Sequence, residues 1–322
     1  MKYIPFLIRK VLDSYRDTIK IQQFLNLKSL NGSLIGLKIF FIKFFYSFSF
    51  LRNFRGPKYI KIRSSKTDQN FFLNEQVDIN KTVAQIDKDG FSNFLTLKNF
   101  LINSFEKLVL ESKNHDLQKI PDSAKTHIFK NEQETKDCYF KRIQSLGISR
   151  ITGYVDLNKE NCISNFLLSD TCVKLAKSYL GATTMTISAS YFISFASSNL
   201  EEKEKIANAQ YFHWDNDFSK FLKLYIYLSD VDENSGPHVF VPRTHKKKLF
   251  KHKLHRPYAN SDIYNSYPKV KSFLGNKGSS FFVDSYGLHK GEMLKKNNRI
   301  MLNVHYGKGK LFYSSFDKFI RC

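Results

Sequence analysis

The chain of 322 residues is 42% hydrophobic and 25% charged, enough apolar material for one large domain with an extension and too balanced for a disordered chain. Its net charge of +22 rests on lysine more than arginine, alongside abundant Asn, Ile and Phe; that is compositional drift rather than an arginine-rich phosphate surface, so nucleic acid is not the expected partner. Cys138, Cys162, Cys172 and Cys322 form no CxxC and no zinc-finger spacing, which excludes a disulfide framework and fits reduced thiols in a cytoplasmic protein.

Residues 1–60 read as a basic, aromatic extension. Within it, 34–51 (LIGLKIFFIKFFYSFSFL) is strongly apolar but interrupted by Lys38 and Lys43. Each lysine would cost about 2.5–3.5 kcal/mol near the centre of a bilayer, so a spanning helix is not expected. The stretch reads as a helix packed on the main domain. Lys28, Arg52 and Arg55 around it leave peripheral contact with an anionic membrane as the second reading.

Residues 61–322 form the main domain, helical to about 182 and β-rich over about 183–307. A connector runs to about residue 80. Val83 and Ile86 then share one helical face, and Asp89-Gly90 ends that helix. FSNFL is short and strand-like. Phe100, Leu101, Phe105, Leu108 and Leu110 predict a helix over 97–112, and a second helix is predicted over 134–146. Asp170 reads as the N-cap of a helix that stops at Leu180-Gly181. From there the texture is β: TTMTISASYFISF, AQYFHWD, KFLKLYIYLSDV, HVFVP, GSSFFVDSYGLH and RIMLNVHYGKG are strands separated by turns. A polar loop over 195–208 and a basic, irregular insertion over 243–270 interrupt them. Many short strands without βαβ units predict a β-sandwich or barrel.

Two residues apart on a strand, His213 and Asp215 aim at one face. Two imidazoles and one carboxylate with open positions suit non-haem iron(II), and His289, in DSYGLHKG between two strands, supplies the third ligand. Arg299 follows on the next strand among Ile300, Leu302 and Val304. A guanidinium there needs an anion, and the distal carboxylate of 2-oxoglutarate would satisfy it. The opposite reading is a surface pair, a turn histidine and a surface arginine, and spacing alone leaves the two in balance.

YFHWDNDFSKFLKLYIYLSDVDENSGPHVFVPRTHKK resembles the metal-binding core of the phytanoyl-CoA dioxygenase-like family, a branch of the Fe(II)/2-oxoglutarate-dependent oxygenases. The matching elements are His213-Trp214-Asp215, the apolar strand ending in DVDENSG, and Pro242-Arg243-Thr244-His245 in place of the family's Pro-Gly-Ser-His. IDKDGFSNFLTL, over 86–97, resembles the family's N-terminal unit, and the likeness covers about 80–307. It implies a double-stranded β-helix (a cupin-like jelly roll) with flanking helices. It implies iron on His213, Asp215 and His289, 2-oxoglutarate on Arg299, O2 as oxidant with ascorbate supporting turnover, and hydroxylation of a C–H bond in a small molecule. Asp215 stands where related halogenases carry a small residue, which counts against halogenation.

Further pocket candidates follow. Lys223, Tyr191, Tyr225 and Asn303 are expected near the cofactor, and Gln210 and His238 near the substrate. For Tyr191 and Tyr225 a place in the core is the competing expectation, and for Lys223 a place at a strand edge. A different class of function, a non-catalytic jelly-roll protein holding an anionic partner on its basic surface, predicts no iron and salt-sensitive binding.

Overall fold

The computed structural model describes residue 41 and residues 71–73, 77–117, 120–157, 161–182, 185–197, 200–216, 220–253 and 257–308. The expectation for 34–51 falls outside these residues apart from Phe41. Among the described residues no helix is long and apolar enough to cross a membrane.

The helical part opens with α1 (Ile79–Asp89), capped by the Asp78 side chain, which accepts from Lys81 N at 2.9 Å. Gly90 ends it in the left-handed region at φ 95, where a Cβ would stand 2.7 Å from the Phe240 ring. The predicted helices appear as α2 (Asn99–Glu111) and α3 (Lys136–Ser145). α4 (Cys162–Leu167) precedes α5 (Asp170–Leu180), which ends at left-handed Gly181. The cap of α5 is one residue earlier than expected. Ser169 accepts from Cys172 N, while Asp170 sits in the first turn, where its charge meets the helix dipole and Lys174 at 2.9 Å.

Two antiparallel sheets follow. The large one runs in the order β1 (Leu95–Thr96), β7 (Ser279–Val283), β4 (Phe221–Tyr227), β9 (Arg299–Lys308), β3 (Met185–Ser194), β2 (Arg150–Val155). The small one is β6 (Lys271–Phe273), β5 (His238–Phe240), β8 (His289–Gly291). Single bridges extend it from His289 to His213 and from Phe212 to Tyr258. From β3 onward the chain alternates between sheets: large at β3, small at His213, large at β4, small at β5 and β6, large at β7, small at β8, large at β9. Phe273 of the small sheet stacks on Phe281 of the large one at 4.2 Å, and Tyr225, Tyr227, Phe240 and Val283 join the same cluster, so the sheets face each other.

Period-2 alternation divides the large sheet. Ile187, Ala189, Tyr191 and Ile193 of β3, Leu222, Leu224 and Ile226 of β4, and Ile300, Leu302, Val304 and Tyr306 of β9 pack outward into the core shared with α1 to α5. Their alternates face the small sheet: Lys223, Tyr225 and Tyr227 of β4, and Arg299, Met301, Asn303 and His305 of β9.

Three local expectations change. The polar loop over 195–208 contains α6 (Glu202–Ala207), closed by reciprocal contacts of Glu201 and Glu204. The insertion over 243–270 contains α7 (Asn260–Ser266) and is held by His252, fully buried between the Asp262 carboxylate and the Tyr267 hydroxyl at 3.0 Å each. AQYFHWD is not a continuous strand but a segment pinned at Phe212 and His213.

Candidate metal centre

The small sheet brings together two histidines far apart in sequence. His213 N donates to His289 O at 2.9 Å and His289 N to His213 O at 2.8 Å. This reciprocal pair puts both side chains on one side of the ladder, with ring centroids 4.3 Å apart. Each imidazole is oriented by its own backbone: His213 Nδ1 donates to Tyr211 O and His289 Nδ1 to Gly287 O, both at 2.9 Å. That tautomer, assigned from the acceptors, leaves both Nε2 atoms unprotonated and turned inward. Asp215, whose N–H is held by Ser285 O at 2.9 Å, brings Oδ1 to 3.7 Å from His213 Nε2 and Oδ2 to 3.4 Å from His289 Nε2. One candidate ligand atom from each of the three residues lies within 4.8 Å of the others.

These separations fit a metal ion. Bonds of about 2.0–2.2 Å meeting at right angles place neighbouring ligand atoms roughly 3 Å apart, so a small inward movement closes the set. Two imidazoles and a carboxylate, all from one side, leave the other side open, the donor set of a non-haem iron(II) site.

The electrostatics keep the ligands in their metal-binding forms. Burial would raise the Asp215 carboxyl, but the Lys223 ammonium, then the two imidazoles, hold it well below the usual carboxylate range. Burial pushes the His289 imidazole down to about 3, with His213 adding to the shift and Asp215 opposing it. Both ligands are thus unprotonated near neutral pH.

Arg299 begins β9 on the face toward the small sheet and is 7% exposed. Its Nε and Nη1 have no hydrogen-bond partner, and no carboxylate pairs with it among the described residues. Burial lowers its affinity for the proton, while the Tyr227 and Tyr225 hydroxyls oppose that. A buried guanidinium with orphaned donors is costly unless an anion arrives, so this position fits a ligand carboxylate.

The other predicted residues divide. Asn303 lies on the same face, opposite Tyr225 on β4 and Ser190 on β3, with Oδ1 unpartnered. The Tyr225 ring lies 4.8 Å from His238, tilted by 38°, and His238 lies 5.4 Å from His289. His238 Nε2 is buried without a partner; burial, then the charges of His289 and Arg299, hold that ring well below the usual histidine range, and so neutral. Gln210 is buried with Oε1 unpartnered, next to Ala209, whose φ of 58 is left-handed. Lys223 faces inward, but its Nζ is 2.6 Å from Asp215 Oδ2, on the carboxylate rather than in the space beside Arg299. Tyr191 is not at the pocket. It points to the opposite face, where its hydroxyl meets His115 Nδ1 at 2.9 Å and its ring covers Gly153. Sequence reasoning passed over Ser285, whose buried Oγ has no partner, because a serine in a turn carries no signal of its own. Trp214 packs away from the ligands against Tyr286 at 5.0 Å, with the buried Lys248 ammonium over both rings.

No family model and no curated protein matches the chain. Similar solved structures include the non-heme alpha-ketoglutarate-dependent epimerase SnoN from nogalamycin biosynthesis, at 11% identity and TM-score 0.46 over 72% of this chain and 84% of that one. The carbocyclase SnoK of the same biosynthesis gives 13% and 0.46 over 74% and 87%. HygX from Streptomyces hygroscopicus, with nickel and 2-oxoglutarate bound, gives 11% and 0.46 over 70% and 86%. At such identities and TM-scores the likeness is too slight to carry an argument about this chain.

Proposed function

We propose that this chain is an Fe(II)- and 2-oxoglutarate-dependent oxygenase on a double-stranded β-helix, of the phytanoyl-CoA dioxygenase-like kind, hydroxylating a C–H bond of a small molecule. The observation that carries the reading is the pairing of the triad with an unpartnered buried guanidinium. The alternation of the chain between two facing sheets from β3 to β9 supports the jelly roll.

In this reading His213 and His289 hold iron through Nε2 and Asp215 through a carboxylate oxygen. Arg299 takes the distal carboxylate of 2-oxoglutarate as a fork, which removes the cost of its orphaned donors. Tyr225 and Asn303 border that site, and His238, kept neutral, offers the pocket an imidazole without a competing charge. Gln210 presents an amide oxygen to substrate. With iron and 2-oxoglutarate bound, O2 becomes the oxidant for a C–H bond, with succinate and CO2 as co-products. The protein's part is to orient these groups and to exclude water behind the aromatic cluster of Tyr227, Phe273 and Phe281.

The test uses purified full-length protein with Fe(II), 2-oxoglutarate, ascorbate and air, presented with mixed small metabolites. Succinate should form, and mass spectrometry should find a product heavier by one oxygen. His213→Ala and Asp215→Ala should weaken iron binding by about 100-fold or more and abolish succinate. Variants that bind iron as well as the wild type sink the assignment.

A further inference from the structure

His238 opens β5, and its backbone is held on several sides. Phe273 of β6 and Gly291 of β8 are its Cα partners, and its N–H donates to Tyr227 Oη at 3.1 Å. The side chain shares a face with Phe240 and so enters the gap between the two sheets. There its ring lies among those of Tyr225, Phe273 and Phe281, at 4.8, 5.6 and 5.7 Å. A leucine would suit those neighbours. The imidazole instead brings Nε2, buried and without a hydrogen-bond partner among the described residues, at a cost that an apolar side chain avoids.

The surroundings point to the group that would meet that nitrogen. On one side the His289 ring lies 5.4 Å away. On the other, His238 and Arg299 have the same tyrosines as neighbours. Tyr225 faces the imidazole, Tyr227 holds its backbone, and both hydroxyls act on the guanidinium. His238 therefore borders the space between the triad and the unpartnered Nε and Nη1 of Arg299. A carboxylate in that space offers two oxygens with about four acceptor sites. A guanidinium fork fills two of them. A neutral imidazole carries its proton on either nitrogen, so Nε2 can supply a third donor.

We propose that His238 is a cosubstrate-binding residue, donating from Nε2 to the distal carboxylate that Arg299 holds. The inference rests on the 2-oxoglutarate reading above and adds selectivity to it. A 2-oxo acid with an uncharged end leaves both the imidazole and the guanidinium without an acceptor. The aromatic rings around His238 keep water from the bond, which strengthens it. Removing the imidazole should therefore weaken 2-oxoglutarate, but not a 2-oxo acid of the same length that lacks the second carboxylate.

Cobalt(II) is a suitable probe, since its visible spectrum reports coordination without turnover. Full-length wild type, His238→Leu, His238→Gln and His213→Ala are titrated with cobalt and then with 2-oxoglutarate or with 2-oxopentanoate, which ends in a methyl group. His238→Leu should bind cobalt as the wild type does. It should bind 2-oxoglutarate about 10-fold or more weaker, the scale of a hydrogen bond to a charged group, and 2-oxopentanoate no more weakly than the wild type. His238→Gln, whose amide nitrogen can stand in for Nε2, should recover part of the loss. If His238→Leu does not fold, His238→Met carries the same readouts. Unchanged 2-oxoglutarate affinity in the apolar variant, or an equal loss for both acids, overturns the role of His238 alone. Wild type that binds cobalt no better than His213→Ala, or that binds cobalt but not 2-oxoglutarate, overturns the reading on which the inference rests.

Discussion

The two faces of the large sheet are made by the same strands and obey opposite rules. On the outer face, the tyrosine hydroxyls among the apolar side chains find protein partners: Tyr191 meets His115, Tyr306 donates to Leu167 O at 3.0 Å, and Tyr139 beneath donates to Ile128 O at 2.8 Å; behind the strands, only the second ring nitrogen of His115 is left without one among these groups. On the inner face, Arg299 and Asn303 of β9, with His238 across from them, keep buried donors or acceptors unpartnered. Folding stability accounts for the first face. The second is less stable than an apolar face of the same shape would be, which is the observation behind the ligand site proposed there.

Three substitutions separate the faces. On the outer face, Leu302→Ala removes a fully buried side chain between Tyr191 and Ile226. It should cost about 2–5 kcal/mol in urea unfolding and leave cobalt affinity per folded molecule unchanged. A loss of metal binding without loss of stability would break the division. On the inner face, Arg299→Met should raise the stability of the ligand-free protein by about 1–3 kcal/mol by removing an unpaired buried charge. It should also abolish the rise in Tm that 2-oxoglutarate gives the metal-loaded wild type. A less stable Arg299→Met protein would mean the guanidinium has a structural partner.

The third concerns His115 behind the outer face. Burial, and secondarily Lys113, push its imidazole from 6.5 down to about 4. Between these values the unfolded chain binds the proton and the folded chain does not. Stability is therefore fully present above about pH 6.5 and falls as pH drops toward 4, by on the order of 1–3 kcal/mol. His115→Phe should flatten that part of the pH–stability curve, whatever its constant offset. An unchanged slope would assign the acid sensitivity elsewhere.

Much of this was legible in the residues. The alternation of FLKLYIYL gives β4 and places Lys223 inward, and that of RIMLNV does the same for Arg299 and Asn303. The helices over 99–111 and 170–180 were readable from their apolar stripes and from Gly181. Tyr191 shares parity with Ile187 and Ile193, which favours the core side of its two readings, and there its hydroxyl meets His115. α6 is legible too, since Glu201 and Glu204 stand at capping-box spacing. The partner of Lys223 was not. Parity fixes which face a side chain takes, but contact with Asp215 depends on how β4 lies against the His213 segment, a through-space relation with no sequence period. The same holds for Ser285 and for the His115–Tyr191 pair, whose members lie just after α2 and on β3.

The reciprocal backbone bonds between His213 and His289 act as a clasp on the chain. Everything between them leaves and returns to one fixed point, so the spacing of the two imidazoles does not depend on the length of the intervening path. Away from Tyr258, whose N–H is held by Phe212 O at 2.7 Å, the basic insertion around α7 can then change composition without altering the bonds between the two histidines. Under the proposed reading, a lineage of such proteins could exchange one substrate for another by rewriting that loop while the histidine pair stayed in place.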